Sequence, residues 1–352
     1  MRYPEFLKEN GQLGFVAPSF GCVIEPYHTA FENALHKWEA QGYKLSLGPN
    51  CFASSGVGIS NEPQLCGEEM NDWYCAEEND AIIACGGGEL MCEVVPYIDF
   101  ERMKQVKPKW YMGFSDNTNF TFLSAILLDT AAIYGPCAAS FGMEPWHASI
   151  QDAWDLLCGK TDTVKGYGLW EKEGFKDEEH PLLPYNVTEP VVLRKYICEQ
   201  GLAREVVDET QTIQMEGRLI GGCMDILQMY PGTPYDKVKA FNEKYKEDGF
   251  IWFMEACDLN LMSIRRAIWQ MKQAGWLEHL KGFLIGRPLC FGEEAFGIDQ
   301  YRAVTDVLSE YNVPIIMDID LGHFAPSMPM ICGSTAKVSV CGNDITIQYT
   351  YQ

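Results

Sequence analysis

Short apolar runs recur along the chain, each closed by glycine, proline or a polar corner. Between them lie stretches in which apolar residues return at helical spacing. Leu13-Gly14-Phe15-Val16-Ala17-Pro18-Ser19 reads as a buried strand ending in a turn. Residues His28 to Gln41 (HTAFENALHKWEAQ) place apolar side chains on one face and polar ones on the other, the pattern of an amphipathic helix. Asp80 to Cys85 is a second buried-strand candidate, closed by Gly86-Gly87-Gly88. The aromatic run Lys109-Trp110-Tyr111-Met112 approaches a sharp corner, Gly113-Phe114-Ser115-Asp116. Asn117-Thr118 there suits a cap for the apolar run through Leu123, Ile126 and Leu128. Ala131 to Gly135 reads as another strand. Strands alternating with helical patterns imply βαβ units and a mostly parallel sheet.

Past this region the texture changes. Residues from about Gly166 to Met215, including EKEGFKDEEHPLLPYNVTEP, are charged, contain proline and show little periodicity, as in a linker or surface excursion. Regular patterning resumes at Glu216-Gly217-Arg218-Leu219-Ile220-Gly221-Gly222. It continues through Gly249 to Met254, a helical stretch near Leu261 to Ala274, Lys281 to Gly286 and Val313 to Asp318, then a β-like tail from Ala336 to Tyr351. The expected organisation is a first domain over 1–165, a linker over 166–215 and a second domain over 216–352. No internal repeat or low-complexity tract is present.

Composition narrows the function classes. The chain has 352 residues, 47% hydrophobic and 22% charged, enough to build a large core without staples. Its formal net charge of −22 opposes binding to phosphate backbones and anionic lipid, so neither nucleic acid nor membrane is an expected partner. The N-terminus lacks a basic segment followed by an apolar stretch, and no run approaches the ~18 apolar residues of a membrane span. A cytoplasmic location is the expectation. The 14 cysteines are scattered, without CxxC spacing, and read as reduced structural thiols. No cluster with metal-ligand spacing, no GxGxxG and no P-loop lysine appears, so no metal and no cofactor is expected.

Four apolar runs end in residues with chemical potential: the glycines at 86 to 88, Ser115, Glu255 after Ile251-Trp252-Phe253-Met254, and His323 after PIIMDIDLG. In open α/β sheets ligands gather beyond the carboxyl ends of strands. Serine, histidine and a carboxylate are what amide hydrolysis requires. The histidine takes and returns the serine proton, and the carboxylate fixes the imidazole's tautomer. The usual elbow motif Gly-X-Ser-X-Gly fails here at Asn117. Residue types alone therefore leave Ser115 open between nucleophile and helix cap. Glu255 stays open between a triad acid and a helix-start acid, and His323 between a base and a loop histidine. The remaining histidines are poorer bases: His28 and His36 on the first helix, His180 in the acidic linker, His279 in a polar turn. His147, after a strand candidate, is either a substrate contact or an ordinary loop residue.

The full set of motifs, from GFVAPS through AIIACGGGE, GFSDNTNF, IYGP, EGRLIGGCMDIL, PGTPY and WFMEACD to DIDLGHFAPSMPMICGS, resembles the LD-carboxypeptidase family of serine peptidases. That family includes muramoyltetrapeptide carboxypeptidases and the microcin-immunity peptidase. The resemblance implies an α/β fold: a flavodoxin-like N-terminal domain carrying the nucleophile, and a smaller, β-rich α/β C-terminal domain carrying the acid and base. It implies Ser115, Glu255 and His323 as the triad, and the backbone N–H of Asp116 with that of Gly86 or Gly87 as the oxyanion hole. Arg266 matches a common family arginine, for which a structural ion pair is expected. The implied partner is a small peptide or muropeptide, hydrolysed by a homodimer, with a peptidyl- or aminoacyl-nucleotide as the alternative substrate. A binding protein on a decayed peptidase scaffold is the non-enzyme alternative. The family's Arg-Gly-Gly-Tyr-Gly loop reads Cys85-Gly86-Gly87-Gly88-Glu89 here, and its Gly-Gly-Asn reads Gly221-Gly222-Cys223, which puts the substrate in question. The long serine-to-glutamate spacing implies an enlarged linker. Arg218, Arg265 and the linker lysines are all candidate partners for an anionic group, and the sequence does not rank them.

Overall fold

The computed structural model describes residues 1–351. The chain divides into two compact units. The first comprises 1–162, 173–186 and 329–332, and the second 163–172, 187–328 and 333–352.

In the first unit the elements are β1 (Gln12–Val16), α1 (Tyr27–Ala40), β2 (Lys44–Leu47), α2 (Pro63–Cys75), β3 (Ala81–Ala84), α3 (Phe100–Lys104), β4 (Trp110–Gly113), α4 (Thr118–Leu128), β5 (Ala132–Tyr134) and α5 (Ala148–Leu157). Five strands pair in parallel in the order β2-β1-β3-β4-β5. This is the flavodoxin-like order, whose switch point lies between β1 and β3. A strand returning from far along the chain, Met330–Cys332 (β15 in chain order), adds antiparallel to β5. Every residue of β3 and β4 is buried, as expected of strands covered on both faces. Helix α1 turns Ala30, Phe31, Ala34 and Trp38 inward. Trp38 packs on Phe15, Phe141 and Trp154 at ring-centroid distances of 5.2, 5.2 and 5.7 Å. Each large apolar side chain buried this way contributes about 1.5–3 kcal/mol.

The second unit begins with β6 (Thr163–Lys165), and β7 (Leu169–Trp170) pairs with β8 (Glu189–Pro190). It continues with β9 (Arg194–Glu199), β10 (Leu202–Glu205), β11 (Thr212–Cys223), α6 (Met224–Leu227), α7 (Val238–Lys244), β12 (Phe250–Glu255), α8 (Leu261–Gln273), β13 (Leu280–Gly286), α9 (Gln300–Leu308), β14 (Ile315–Ile319), β16 (Thr335–Cys341) and β17 (Asp344–Thr350). The nine-stranded sheet runs β10-β9-β14-β13-β12-β11-β16-β17-β6. Its centre, β11 to β14, is parallel, and both flanks are antiparallel. Strands β9 and β10 and the start of β11 fall within the charged stretch before Met215. Their periodicity is faint because β10 is an edge strand with mostly exposed residues. Helix α8 shows the opposite clarity: Asn260 caps it, accepting from Ser263 N at 3.0 Å, and Leu261, Ile264, Ala267, Ile268 and Met271 form its buried stripe.

Candidate active site

In the first unit the reactive groups gather at the carboxyl ends of β1, β3 and β4. After β4 the backbone turns sharply, Ser115 takes φ +61°, and one turn of 3₁₀ helix leads into α4. A left-handed φ is unfavourable by roughly 1–2 kcal/mol for a residue with a side chain. Serine held in that state at a strand-to-helix corner has the geometry of a nucleophile elbow, which turns the hydroxyl outward. Ser115 N donates to the Tyr134 hydroxyl at 3.2 Å.

The elbow forms although the fifth position of its usual motif is asparagine, because Asn117 ties the corner together. Its Oδ1 accepts from the buried Tyr111 hydroxyl at 2.5 Å. Its Nδ2 donates to Gly86 O at 2.9 Å and to Phe114 O at 3.1 Å. Asn117 therefore makes no side-chain cap on α4, contrary to the sequence expectation: its amide is already committed to the glycine loop. Gly113 is required here, since a Cβ would lie 2.7 Å from Asn117 Cβ. The Asp116 side chain anchors the same turn. It accepts from Ser19 Oγ at 2.5 Å, Met91 N at 2.9 Å and Asn119 Nδ2 at 2.9 Å. Burial pushes its carboxyl up to about 6, against the lowering effect of the Ser19 hydrogen bond. Gly87 faces the serine, and a Cβ built there would lie 3.5 Å from Ser115 Cβ. Ser115, Asp116, Gly86 and Gly87 thus come together, fastened by Asn117, Ser19 and Tyr134. The sequence did not single out those three fasteners for this work, because each is an ordinary polar residue until its partner is known.

In the second unit β12 ends in Glu255, fully buried, whose Oε2 lies 2.9 Å from Nδ1 of His323. Burial pushes the imidazole down. The Glu255 carboxylate, with Cys257 beside it, outweighs that effect and holds the ring well above the ordinary histidine range. Contact through Nδ1 assigns proton exchange at this ring to Nε2. Gly322 has φ +119°, and a Cβ there would stand 3.1 Å from Glu255 Oε2, so only glycine lets His323 approach the acid this way.

A second, buried ion pair steadies the histidine's loop. Arg287, just past β13, pairs with Asp320, donates to Asp318 O at 2.5 Å and stacks 5.0 Å over Trp170. Tyr167 N donates to Asp320 Oδ2 at 2.7 Å, and Tyr301 donates to Asp318 Oδ2 at 2.7 Å. Neither Arg287 nor Asp320 was foreseen as part of the site. An arginine following a strand and an acid preceding a Leu-Gly pair carry no pairing signal by themselves.

Other expected residues fall elsewhere. Arg266 is exposed on α8, and its neighbour Arg265 makes the ion pair, to Asp306 at 3.1 Å. His147 caps α5, accepting from Ser149 N at 3.1 Å, and its ring lies 5.5 Å from that of Tyr185. His28 faces Glu32 at 3.5 Å along α1, and His180 pairs with Asp177 at 3.1 Å. Among the described residues, no group of three or more His, Cys, Asp or Glu could hold a metal ion, and no helix is long and apolar enough to cross a membrane.

Comparison with known proteins matches the pattern of the LD-carboxypeptidase N-terminal domain to residues 13–135 and that of the LD-carboxypeptidase C-terminal domain to 216–338. A Vibrio cholerae protein that carries a carboxypeptidase name is 25% identical over 339 residues, covering 93% of this chain and 92% of the relative. The microcin C7 self-immunity protein of Escherichia coli is 24% identical, covering 96% of this chain and 93% of its own. Among solved structures, a microcin C7 self-immunity protein variant in complex with adenosine monophosphate superposes with a TM-score of 0.79 at 18% identity, covering 100% of this chain and 99% of that one. A related protein from Streptococcus pneumoniae in complex with AMP gives a TM-score of 0.74 at 19% identity, over 97% of this chain and 99% of that one.

Proposed function

The chain belongs to the LD-carboxypeptidase family, and we propose that it is a serine peptidase in which Ser115, His323 and Glu255 act together on an amide bond. With the His323 ring in its neutral form, the fraction that grows as pH rises toward its raised pKa, Ser115 Oγ attacks the carbonyl carbon while Nε2 takes the hydroxyl proton. His323 then returns that proton to the leaving amine, and water, deprotonated by the same nitrogen, resolves the acyl-enzyme to acid and free serine. Glu255 holds the imidazole in the right tautomer and supports its positive charge. The N–H groups of Asp116 and of Gly86 or Gly87 receive the oxyanion, where loss of one donor typically costs about 3–4 kcal/mol of barrier.

The observation that carries the reading is the buried Glu255–His323 contact at 2.9 Å. A carboxylate with no exposure set directly against an imidazole is an expensive arrangement that packing alone does not call for. The left-handed Ser115 supports it from the other half of the chemistry.

By family analogy the substrate is a muropeptide tetrapeptide losing its terminal D-alanine from an L-centre, in the cytoplasm, with the enzyme a homodimer. A second substrate reading, a peptidyl- or aminoacyl-nucleotide amide, is favoured by the likeness to microcin self-immunity proteins, one of whose structures holds glutamyl sulfamoyl guanosine. Incubating purified protein with each substrate and resolving free D-alanine or free nucleotide by chromatography decides between them. Ser115→Ala and His323→Ala, with native circular dichroism, are expected to abolish hydrolysis. Full hydrolysis in either folded variant would refute this triad, and no turnover of either substrate by the wild type would return the chain to a binding role on a peptidase scaffold.

A further inference from the structure

Three loops at one end of the first unit's sheet carry no charge. Residues 17–24 follow β1, 48–61 follow β2 and 85–88 follow β3, and none of them is Asp, Glu, Lys, Arg or His, although 22% of the whole chain is charged. The first charged residues past these loops are Glu25, Glu62 and Glu89.

Backbone hydrogen bonds stitch the three loops together. Cys22 N donates to Cys51 O at 2.8 Å, Ser60 N to Ser19 O at 2.7 Å, and Phe20 N to Gly87 O at 2.8 Å. Gly21 permits the close approach, since a Cβ there would lie 2.8 Å from Asn50 O. These bonds engage main-chain groups that would otherwise need water. The large side chains that the loops expose are Phe20, Val23, Ile24, Phe52 and Val57, all of them apolar. Exposed apolar side chains gathered on neutral loops mark a binding surface, whereas scattered single ones do not.

Phe20 is the member that touches the reactive loop. A Cβ on Gly88 would lie 3.2 Å from Cδ2 of the Phe20 ring and would collide with Ser19 Oγ, so the ring lies over a position that only glycine can occupy. Gly88 adjoins Gly87, whose own Cβ would lie 3.5 Å from Ser115 Cβ. Neighbouring Cα atoms are about 3.8 Å apart, so ring and serine fall within two or three residues of an extended peptide. Phe20 is nevertheless 44% exposed: the fold covers part of the ring and leaves the rest open.

We propose that Phe20 is a specificity-determining residue, a platform that takes an uncharged apolar side chain of the substrate beside the bond that Ser115 cleaves. The proposal rests on the peptidase reading above for the bond cleaved, and not on which peptide supplies it. In that reading the glycine loop faces the carbonyl oxygen, so the side chain nearest Phe20 belongs to the residue whose carbonyl is attacked. Leucine or phenylalanine at that residue gains apolar contact. A carboxylate or ammonium there loses hydration against loops that offer no counter-charge.

The first test needs no turnover. Saturation-transfer difference NMR on the intact protein compares N-acetyl-L-phenylalanine amide, N-acetyl-L-leucine amide and N-acetyl-L-glutamate α-amide. The first two are expected to draw saturation through their side chains, and the third far less. In Phe20→Ala that side-chain saturation should fall. It should persist in Phe20→Leu and in Trp269→Ala, which removes an exposed aromatic of the second unit. Saturation in Phe20→Ala equal to that of the wild type overturns the proposal, as does stronger saturation of the glutamate probe. A sedimentation coefficient that falls in Phe20→Ala while probe saturation stays unchanged assigns the ring to contact between copies of the chain and overturns it too. In kinetics on N-acetyl-X–D-alanine, kcat/KM with phenylalanine or leucine as X should exceed that with alanine about 4- to 12-fold, half the worth of full burial because one side of the platform stays open. Phe20→Ala should bring that ratio toward one. An unchanged ratio in the folded variant overturns the proposal. A wild type that hydrolyses none of the series removes the peptidase reading, while the NMR comparison still decides the platform.

Discussion

Asn117 offers the sharpest test of how the elbow is held. Asn117→Ala removes four hydrogen bonds at once, the weakest from Nδ2 to Cys137 Sγ at 3.7 Å, and leaves the serine untouched. The Tyr111 hydroxyl, fully buried, loses its acceptor at 2.5 Å, and stranding such a group costs about 1–3 kcal/mol. The bonds to Gly86 O and Phe114 O, at 2.9 and 3.1 Å, contribute about 1 kcal/mol each. The expected loss is therefore about 3–5 kcal/mol, a large share of the 5–15 kcal/mol that typically holds a domain together. Urea unfolding followed by tryptophan fluorescence reads the loss directly, with the m-value checked for constancy. Tyr111→Phe closes a double-mutant cycle: if the two groups are partners, the double variant is no less stable than Asn117→Ala alone. Because the glycine loop loses its tie to the corner, turnover should fall about 10- to 100-fold even where the variant is fully folded, part of what losing a whole oxyanion donor costs. Stability within 0.5 kcal/mol of wild type, or additive effects in the cycle, would refute the assignment of Asn117 as the fastener.

Two further outcomes concern the second unit. Gly322→Ala must place a Cβ at φ +119°, 3.1 Å from Glu255 Oε2 and 3.2 Å from its Cβ. We expect about 2–4 kcal/mol of destabilisation and loss of turnover. Gly168→Ala, at φ +58° with nothing within 4 Å, should cost only about 1 kcal/mol in the same thermal melts, and equal effects would show that the close approach carries no weight. Glu255→Gln keeps an acceptor and removes the charge that raises His323. In the wild type the raised folded pKa makes the imidazolium a stabilising group, fully so below the unfolded value near 6.5, and lost as pH rises through the folded value. In Glu255→Gln the carboxylate no longer opposes burial and only Cys257 still favours the imidazolium, so the folded pKa falls and the stability lost as pH rises shrinks. Melting temperatures from pH 5 to 10, with His323 followed by NMR, should show a distinctly weaker pH dependence in the variant. Parallel slopes would mean that the carboxylate does not govern the ring. Turnover of Glu255→Gln should fall on the order of 10³- to 10⁴-fold, as for a triad acid made neutral.

The legible parts of this molecule are those written in local periodicity. The strand at 81–84 and the helix at 261–273 stand out because burial on both faces, or on one stripe, leaves a one-dimensional trace. Ser115, Glu255 and His323 could be named as candidates for a related reason: each follows an apolar run, so the end of a strand marks its place. Strands 194–199 and 202–205 were not legible: the second is an exposed edge strand, and the first, though mostly buried between its two neighbours, mixes charged and apolar residues without clean alternation. Nor were the partners of the site residues. That Asn117 faces Gly86 O, or Arg287 faces Asp320, is a statement about groups distant in sequence, and no local pattern encodes it.

The same distinction explains why the sequence could name candidate cations without ranking them. Charge is a property of a residue, whereas availability is a property of its surroundings. Arg218 and Lys195 are deeply buried, and on burial alone either would look functional, yet each meets an acid, Asp248 and Glu209 respectively. Burial with a matched acid is a structural investment already settled by the pair, because Coulomb attraction and hydrogen bonding offset desolvation within the fold.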